Sequence, residues 1–309
     1  MDTLPFFDRP QLGLKLALIS PRFEVLVDKH FDGKRELTIW RPIAIDKDNG
    51  MPKQAVFTNF AISKEFPLPD HSLPNKMRFK NLCFKYIDHS VIEFLRCNQQ
   101  IWDKGIALNF YIWSAKNDAQ PIWNVFAREI WSIFATSIRQ LAISNHYLDI
   151  LRRLISPTIL TDLNNLSSIH FNLLPDLLED DGPNATVGQA LSKWLHTPTK
   201  VGQPKRLFCT NFNDQETLEW VNNFKEAFIC ATNNSPVNYI ISFGMENSAP
   251  IEPFELVNER TQEKLTLEKE GEDEGIISLC IMKRILFFLY GVNDFLGPLS
   301  TESSGGSSI

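Results

Sequence analysis

Apolar residues recur in one local pattern along most of the chain, from about residue 77 onward. Each unit begins apolar-x-x-apolar-x-apolar, and a segment follows whose apolar residues are three or four positions apart. The first part is typical of a short strand and the second of an amphipathic helix. The units recur about every 30 residues, which indicates a repeat architecture. Their first and middle members are Phe79 and Leu82, Ala107 and Phe110, Ile138 and Leu141, Leu166 and Ile169, Pro204 and Leu207, and the polar Asn238 with Ile241.

The segments between these strands predict helices with one buried face. The clearest set follows the i, i+3, i+4, i+7, i+8 spacing of a helix and comprises Val187, Ala190, Leu191, Trp194 and Leu195. Strands that run in the same direction through such helices form a parallel sheet with right-handed crossovers. The fold class is therefore α/β. A curved βα solenoid of the leucine-rich-repeat type is favoured because the strands are short and share one period, and a doubly wound sheet is the alternative.

Three regions are expected along the chain. Residues 1–32 predict a short helical piece, residues 33–270 the repeat-like domain, and residues 271–309 a divergent and partly disordered tail. Near residue 270, the segments 253–258 and 266–268 flank a polar turn and predict a C-terminal β-hairpin. The tail contains an acidic run and ends in serine and glycine, which argues against a packed core there.

The N-terminal helical piece is apolar on nearly every side. Leu12, Leu16 and Ile19 lie on one helical stripe, and Phe23 begins a second stripe after Ser20-Pro21. The apolar surface of such a helix has to be buried, either against the rest of the chain or against another protein.

Composition and charge limit the classes of partner and the cell compartments that we expect for this protein. The net charge of −6 argues against a nucleic-acid binder, which usually carries a basic excess. The first residues show no basic and apolar leader, so we expect a cytoplasmic or nuclear protein. The apolar stretch 276–292 is interrupted by Lys283 and Arg284, so we expect no membrane span.

Catalytic signatures are missing from the sequence. None of the common nucleotide-binding, nucleophile-elbow or zinc-protease motifs occurs, and the six histidines and five cysteines lack the spacing of metal ligands. We therefore expect no enzymatic activity, no metal and no cofactor. The alternative is a hydrolase that uses Glu179, Asp180 or Asp181, and it requires these carboxylates to converge in a concave pocket.

The N-terminal residues resemble a known family. Leu4-Pro5-Phe6-Phe7-Asp8-Arg9-Pro10-Gln11-Leu12, followed by Leu18-Ile19-Ser20-Pro21-Arg22-Phe23, is similar to the second and third helices of an F-box. The stretches 119–136, 151–163, 180–198 and 250–268 resemble F-box-domain proteins that are expanded in plant-parasitic nematodes. The resemblance covers most of residues 4–270.

The resemblance implies a non-enzymatic adaptor of an SCF-type ubiquitin ligase. An F-box binds the Skp-type linker protein, and the domain that follows holds a target protein. The expected linker contacts are Leu4, Pro5, Phe6, Phe7, Leu12, Leu16, Leu18, Ile19 and Phe23. The helix that normally precedes these residues in an F-box is not in the sequence. The alternative is therefore a protein-binding module that has lost linker binding.

Target-binding residues are expected on the strands, at positions that alternate with the core residues. Side chains on a strand point to opposite faces in turn, so these positions would line the inner surface of a solenoid. The candidates are Tyr111, Gln140, His170 and Arg206.

Overall fold

A computed structural model describes a large part of the chain. The described residues are 37–39, 43–46, 54–59, 62–67, 77–79, 81–84, 89–102, 105–110, 120–199, 202–210, 214–232, 237–246, 251–270 and 277–286. The expected linker contacts between Leu4 and Phe23, the helical piece 1–32 and Tyr111 lie outside these ranges.

Strands and helices alternate through the middle of the chain. The strands are β1 Leu37–Ile39, β2 Ile43–Asp46, β3 Gln54–Asn59, β4 Ile62–Pro67, β5 Met77–Phe79, β6 Asn81–Phe84, β7 Ile106–Phe110, β8 Ile138–Ala142, β9 Ser168–Phe171, β10 Lys205–Cys209, β11 Tyr239–Glu246, β12 Phe254–Asn258, β13 Glu263–Glu270 and β14 Ile277–Leu286. The helices are α1 His89–Cys97, α2 Gln120–Val125, α3 Trp131–Phe134, α4 Asn145–Leu154, α5 Ile159–Asp162, α6 Val187–His196 and α7 Asp214–Cys230, with a π-helical turn Phe126–Ile130 joining α2 to α3 and a 3-10 turn Gln99–Ile101 after α1.

One sheet of twelve strands organises the described part of the chain. Its order is β12-β13-β14-β11-β10-β9-β8-β7-β6-β2-β3-β4, and β1 pairs separately with β5. Strands β6 to β11 are parallel, are neighbours in chain order, and have at least one helix between each pair. The predicted α/β class with parallel βα units is confirmed.

A ladder of apolar residues crosses this sheet and forms the centre of the core. Neighbouring members are paired in register, and none is more than 2% exposed: Leu82, Leu108, Leu141, Ile169, Leu207, Ile241, Met282 and Leu267. The helices pack on the same face, and their aromatic residues Trp102, Trp123, Trp194, Phe126 and Phe134 are fully or almost fully buried. The predicted inner face of the 187–195 helix is also confirmed, because Ala190, Leu191 and Leu195 are buried.

The predicted strand pattern is wrong at its first member on three strands. On β7 the ladder residue is Leu108 rather than Phe110, and Ala107 faces the other side of the sheet. On β10 and β11 the first inward residues are Lys205 and Tyr239, not Pro204 and Asn238. The apolar-x-x-apolar spacing is correct for β8, because a β-bulge there adds Arg139 opposite the step from Ile106 to Ala107. Strands β10 and β11 have no such bulge, so their side chains alternate from one face to the other without interruption.

The C-terminal hairpin is confirmed, and the sheet continues beyond it. Strands β12 and β13 are antiparallel and pair from Phe254 with Leu267 to Asn258 with Glu263. Strand β14, which the predicted boundary at residue 270 assigned to the tail, pairs with both β11 and β13. Its side chains alternate, so Cys280, Met282 and Arg284 enter the core while Lys283 faces outward. Lys283 and Arg284 are adjacent in sequence but lie on opposite faces of the sheet, so the strand can contain both cations.

Candidate functional site: the open face of the sheet

The two faces of the parallel sheet differ in character. The apolar ladder and the helices share one buried cluster on one side. The alternating positions on β8, β9 and β10 point to the other side, and Gln140, His170 and Arg206 there are exposed. We call this second side the open face.

Strand register arranges the open face in two rows. In the first row, each residue is paired with the next across the strands: Ala107, Gln140, Ser168, Arg206, Ile240 and Lys283. The second row is two residues further along each parallel strand and comprises Asn109, Ala142, His170, Phe208, Ser242 and Ile281. Polar and apolar side chains are therefore mixed on the same surface.

The structure brings together three of the four residues expected to contact a target. Gln140 and Arg206 are paired with Ser168 from either side, and His170 lies two residues after Ser168 on the same strand. Neighbouring strands are about 4.8 Å apart, so Gln140 and Arg206 are separated by about 10 Å across the sheet. The fourth residue, Tyr111, lies outside the described residues.

An aromatic stack occupies the middle of the second row. The rings of His170 and Phe208 are 4.5 Å apart at their centroids, and their planes differ by 14°. Loss of hydration lowers the pKa of His170, which favours a neutral imidazole at neutral pH. Alternation along β10 predicts Phe208 on the same face as Arg206, although Phe208 is not among the four expected target-binding residues.

The charge of the open face changes from one side of the sheet to the other. Strands β8, β9 and β10 contain no aspartate or glutamate, and Arg206 has no side-chain partner among the described residues. Across β13 and β14, Lys283 Nζ donates to Glu268 Oε2 at 2.6 Å. On the hairpin, Lys264 Nζ is 2.8 Å from Glu255 Oε2. Among the described residues Arg206 thus has no ion-pair partner, whereas Lys264 and Lys283 are paired.

A second polar cluster lies on the buried side, at the start of β10 and β11. Arg284 Nη2 donates to Glu263 Oε2 at 2.6 Å, and the two side chains are 9% and 1% exposed. Arg284 Nη1 lies 3.0 Å from His196 Nε2, while His196 Nδ1 lies 2.8 Å from the Ser192 carbonyl oxygen. A carbonyl only accepts, so Nδ1 carries the proton and Nε2 accepts from Arg284. Burial lowers the pKa of His196, consistent with this neutral form.

Two further groups extend this buried cluster. Lys205 is 5% exposed and donates from Nζ to the Trp194 carbonyl oxygen, and burial lowers its pKa to about 7. Tyr239 is fully buried with its ring against His196, and burial raises its pKa to about 12. These contacts connect α6 to β10, β11, β13 and β14. The cluster thus cross-links the C-terminal part of the sheet from within the core.

The three carboxylates of the hydrolase hypothesis have separate partners. Glu179 lies 3.8 Å from Lys193 and 3.4 Å from His196. Asp180 Oδ1 accepts from the Gly182 backbone N–H at 2.9 Å, and Asp181 Oδ2 accepts from Thr161 Oγ1 at 2.8 Å. The loop therefore uses each carboxylate to hold a different structural element, and it does not direct them to one point.

The described residues contain neither a metal-binding cluster nor a membrane-spanning helix. Within the described ranges, no three histidine, cysteine, aspartate or glutamate side chains are grouped in a way that could hold a metal ion. Of the helices that the structure describes, none is both long and apolar enough to cross a bilayer. The chain matches no family model, no curated protein and no solved structure.

Proposed function

We propose that this chain is a non-enzymatic substrate adaptor of an SCF-type ubiquitin ligase. In this proposal residues 4–27 act as the part of an F-box that docks the Skp-type linker protein. The parallel βα units act as a leucine-rich-repeat-like solenoid that holds a target protein on the open face. The proposal for residues 4–27 depends on their resemblance to an F-box and on their apolar stripes.

One observation carries the target-binding part of the proposal. Parallel strands in chain order, with helices packed on one side, leave the other side of β8–β10 uncovered at Gln140, His170 and Arg206. Strand positions on such a surface are repeated at a fixed spacing, which suits the recognition of an extended partner. Arg206, whose guanidinium is unpaired among the described residues, supplies polar contacts on this surface, and the ring stack at His170 supplies apolar ones.

Co-elution with the linker tests the adaptor proposal. The purified chain and a Skp-type linker are mixed and separated by size-exclusion chromatography, and we expect one complex. Leu16→Asp places a charge on the apolar stripe and should abolish the complex, whereas Lys15→Asp at the neighbouring polar position should preserve it. A complex that forms equally with both variants would contradict docking through the apolar stripe.

The same experiment separates the adaptor from the second candidate, a module without linker binding. That candidate keeps the target-binding face and gives residues 4–27 no linker-docking role. Fusing an F-box first helix ahead of Leu4 supplies the missing element. Binding only after this fusion would favour the second candidate. If the fused chain also fails to bind, residues 4–27 are not a linker-docking element.

A further inference from the structure

The first row of the open face has two hydrogen-bond donors, one on each side of Ser168. Gln140 and Arg206 are exposed, while Ser168 between them is only 4% exposed. The two longer side chains therefore stand above the serine, with an amide on one side and a guanidinium on the other. A carboxylate accepts hydrogen bonds from both groups, and a guanidinium binds it in a charge-assisted pair.

The second row presents aromatic edges next to these donors. The 4.5 Å centroid separation of His170 and Phe208 matches the spacing of neighbouring strands, and their ring planes are nearly parallel. The rings therefore stand upright, side by side, with their outer edges toward solvent. The edge of an aromatic ring is its positive part, and it packs best against the negative face of another ring.

The spacing of Arg206 and Phe208 matches the spacing of alternate side chains in an extended peptide. Arg206 and Phe208 are two residues apart on β10, so their side chains emerge about 7 Å apart on the same face. Side chains i and i+2 of an extended peptide have the same spacing and also share a side. We propose, building on the target-binding function, that the open face recognises an extended protein segment whose acidic residue and aromatic residue are separated by one residue.

The local charge favours a carboxylate over a phosphate. The strands β8–β10 contain no acidic residue that would repel the ligand, although the whole chain carries a net charge of −6. The exposed cations on these three strands are Arg206 and Arg139, and the Arg139 side chain lies against Gly105 near the start of β7 rather than beside Arg206. Phosphate sites usually combine several cations, and a polyanion would be repelled by the overall charge.

Fluorescence anisotropy with defined peptides tests this specificity on the full purified chain. The probe is a fluorescein-labelled peptide of glycine and serine around a central Glu-Ser-Phe. Peptides with Gln-Ser-Phe or Glu-Ser-Ala should each bind about tenfold more weakly, which corresponds to about 1.4 kcal/mol. Arg206→Glu should abolish binding of the Glu-Ser-Phe peptide and should create binding of a Lys-Ser-Phe peptide.

Arg153→Glu is the matched control, because it makes the same charge change at an exposed position of α4. It should leave all affinities unchanged. Equal weakening by Arg153→Glu and Arg206→Glu would overturn the proposal, as would equal affinity for the Glu and Gln peptides or no binding up to about 1 mM. Tighter binding of a phosphoserine peptide that lacks the glutamate would also overturn it, in favour of a phosphate site.

The outcome is independent of the linker experiment. If the chain co-elutes with the linker but shows no carboxylate preference, only the acidic–aromatic specificity is lost. If the peptides bind as expected but the linker does not, the specificity stands and the adaptor role is lost.

Discussion

Replacing Lys205 with methionine should stabilise the protein near neutral pH and remove part of its pH dependence. The ammonium group is buried beside Trp194, with Nζ 4.8 Å from the ring centroid, and its pKa falls to about 7 from an ordinary value of 10.5. Methionine has a similar volume and no charge to desolvate. The Trp194 carbonyl keeps a donor in the variant, because the Thr197 backbone N–H also bonds to it at 3.1 Å.

The sign and size of the effect follow from proton linkage. Between pH 7 and pH 10.5 the unfolded chain holds a proton on Lys205 that the folded chain has released, so wild-type stability rises with pH across this window. With these two pKa values, Lys205 contributes a gain of about 2 kcal/mol in the free energy of unfolding on going from about pH 7 to about pH 9. The methionine variant lacks this contribution, so its advantage over wild type should shrink by that amount.

Urea denaturation followed by tryptophan fluorescence measures the difference at both pH values. Other titrating groups affect wild type and variant alike. The difference in their free energies of unfolding, which we call the gap, therefore reports on Lys205 alone. Lys193→Met, at an exposed position on α6, is the control and should show the same gap at both pH values. A gap for Lys205→Met that stays constant or grows with pH would refute a lysine of lowered pKa in the core.

Three further changes test the contacts that hold the C-terminal part together, each by urea denaturation. Asn258→Ala should cost about 2–4 kcal/mol, because the buried amide donates to the carbonyls at the end of α7 and accepts from two backbone N–H groups of the hairpin turn. Asn258→Asp keeps the acceptor but directs a charged oxygen at those carbonyls, so it should be at least as destabilising as the alanine variant. Arg284→Met should cost about 3–5 kcal/mol by leaving the Glu263 charge buried and unpaired, and adding Glu263→Leu should restore most of that loss. A double variant less stable than the single one would contradict this account. Thr186→Ala removes the capping box of α6 and should cost about 1 kcal/mol without changing peptide affinity at the open face.

Side-chain alternation predicted the sheet better than residue polarity did. Leu141, Ile169 and Leu207 were identified as core residues because they are apolar at the strand period, and all are at most 1% exposed. Lys205 and Arg284 were not, because both are charged. Both nevertheless lie in phase with core residues of their own strands, since β10 and β14 alternate without interruption.

The residues of the open face were predictable, but their arrangement relative to one another was not. Gln140, His170 and Arg206 follow from alternation alone, since each precedes or follows a core residue on a short strand. Their mutual arrangement depends on register, which sets Ser168 between Gln140 and Arg206 and His170 beside Phe208. Register is a property of neighbouring strands that are about 30 residues apart in sequence, so no local pattern determines it. The bulge at Arg139 shows the same limit, because it shifts the register of β8 by one residue.

The position of β14 has a consequence for synthesis on the ribosome. Strand β11 and the hairpin of β12 and β13 are made first, yet in the sheet they are joined through β14, which is inserted between them. Until residue 286 has emerged, the edge of β11 that pairs antiparallel with β14 is unpaired, and such an edge is a template for aggregation. A premature stop codon between residues 247 and 276 should therefore yield an insoluble product rather than a smaller working domain.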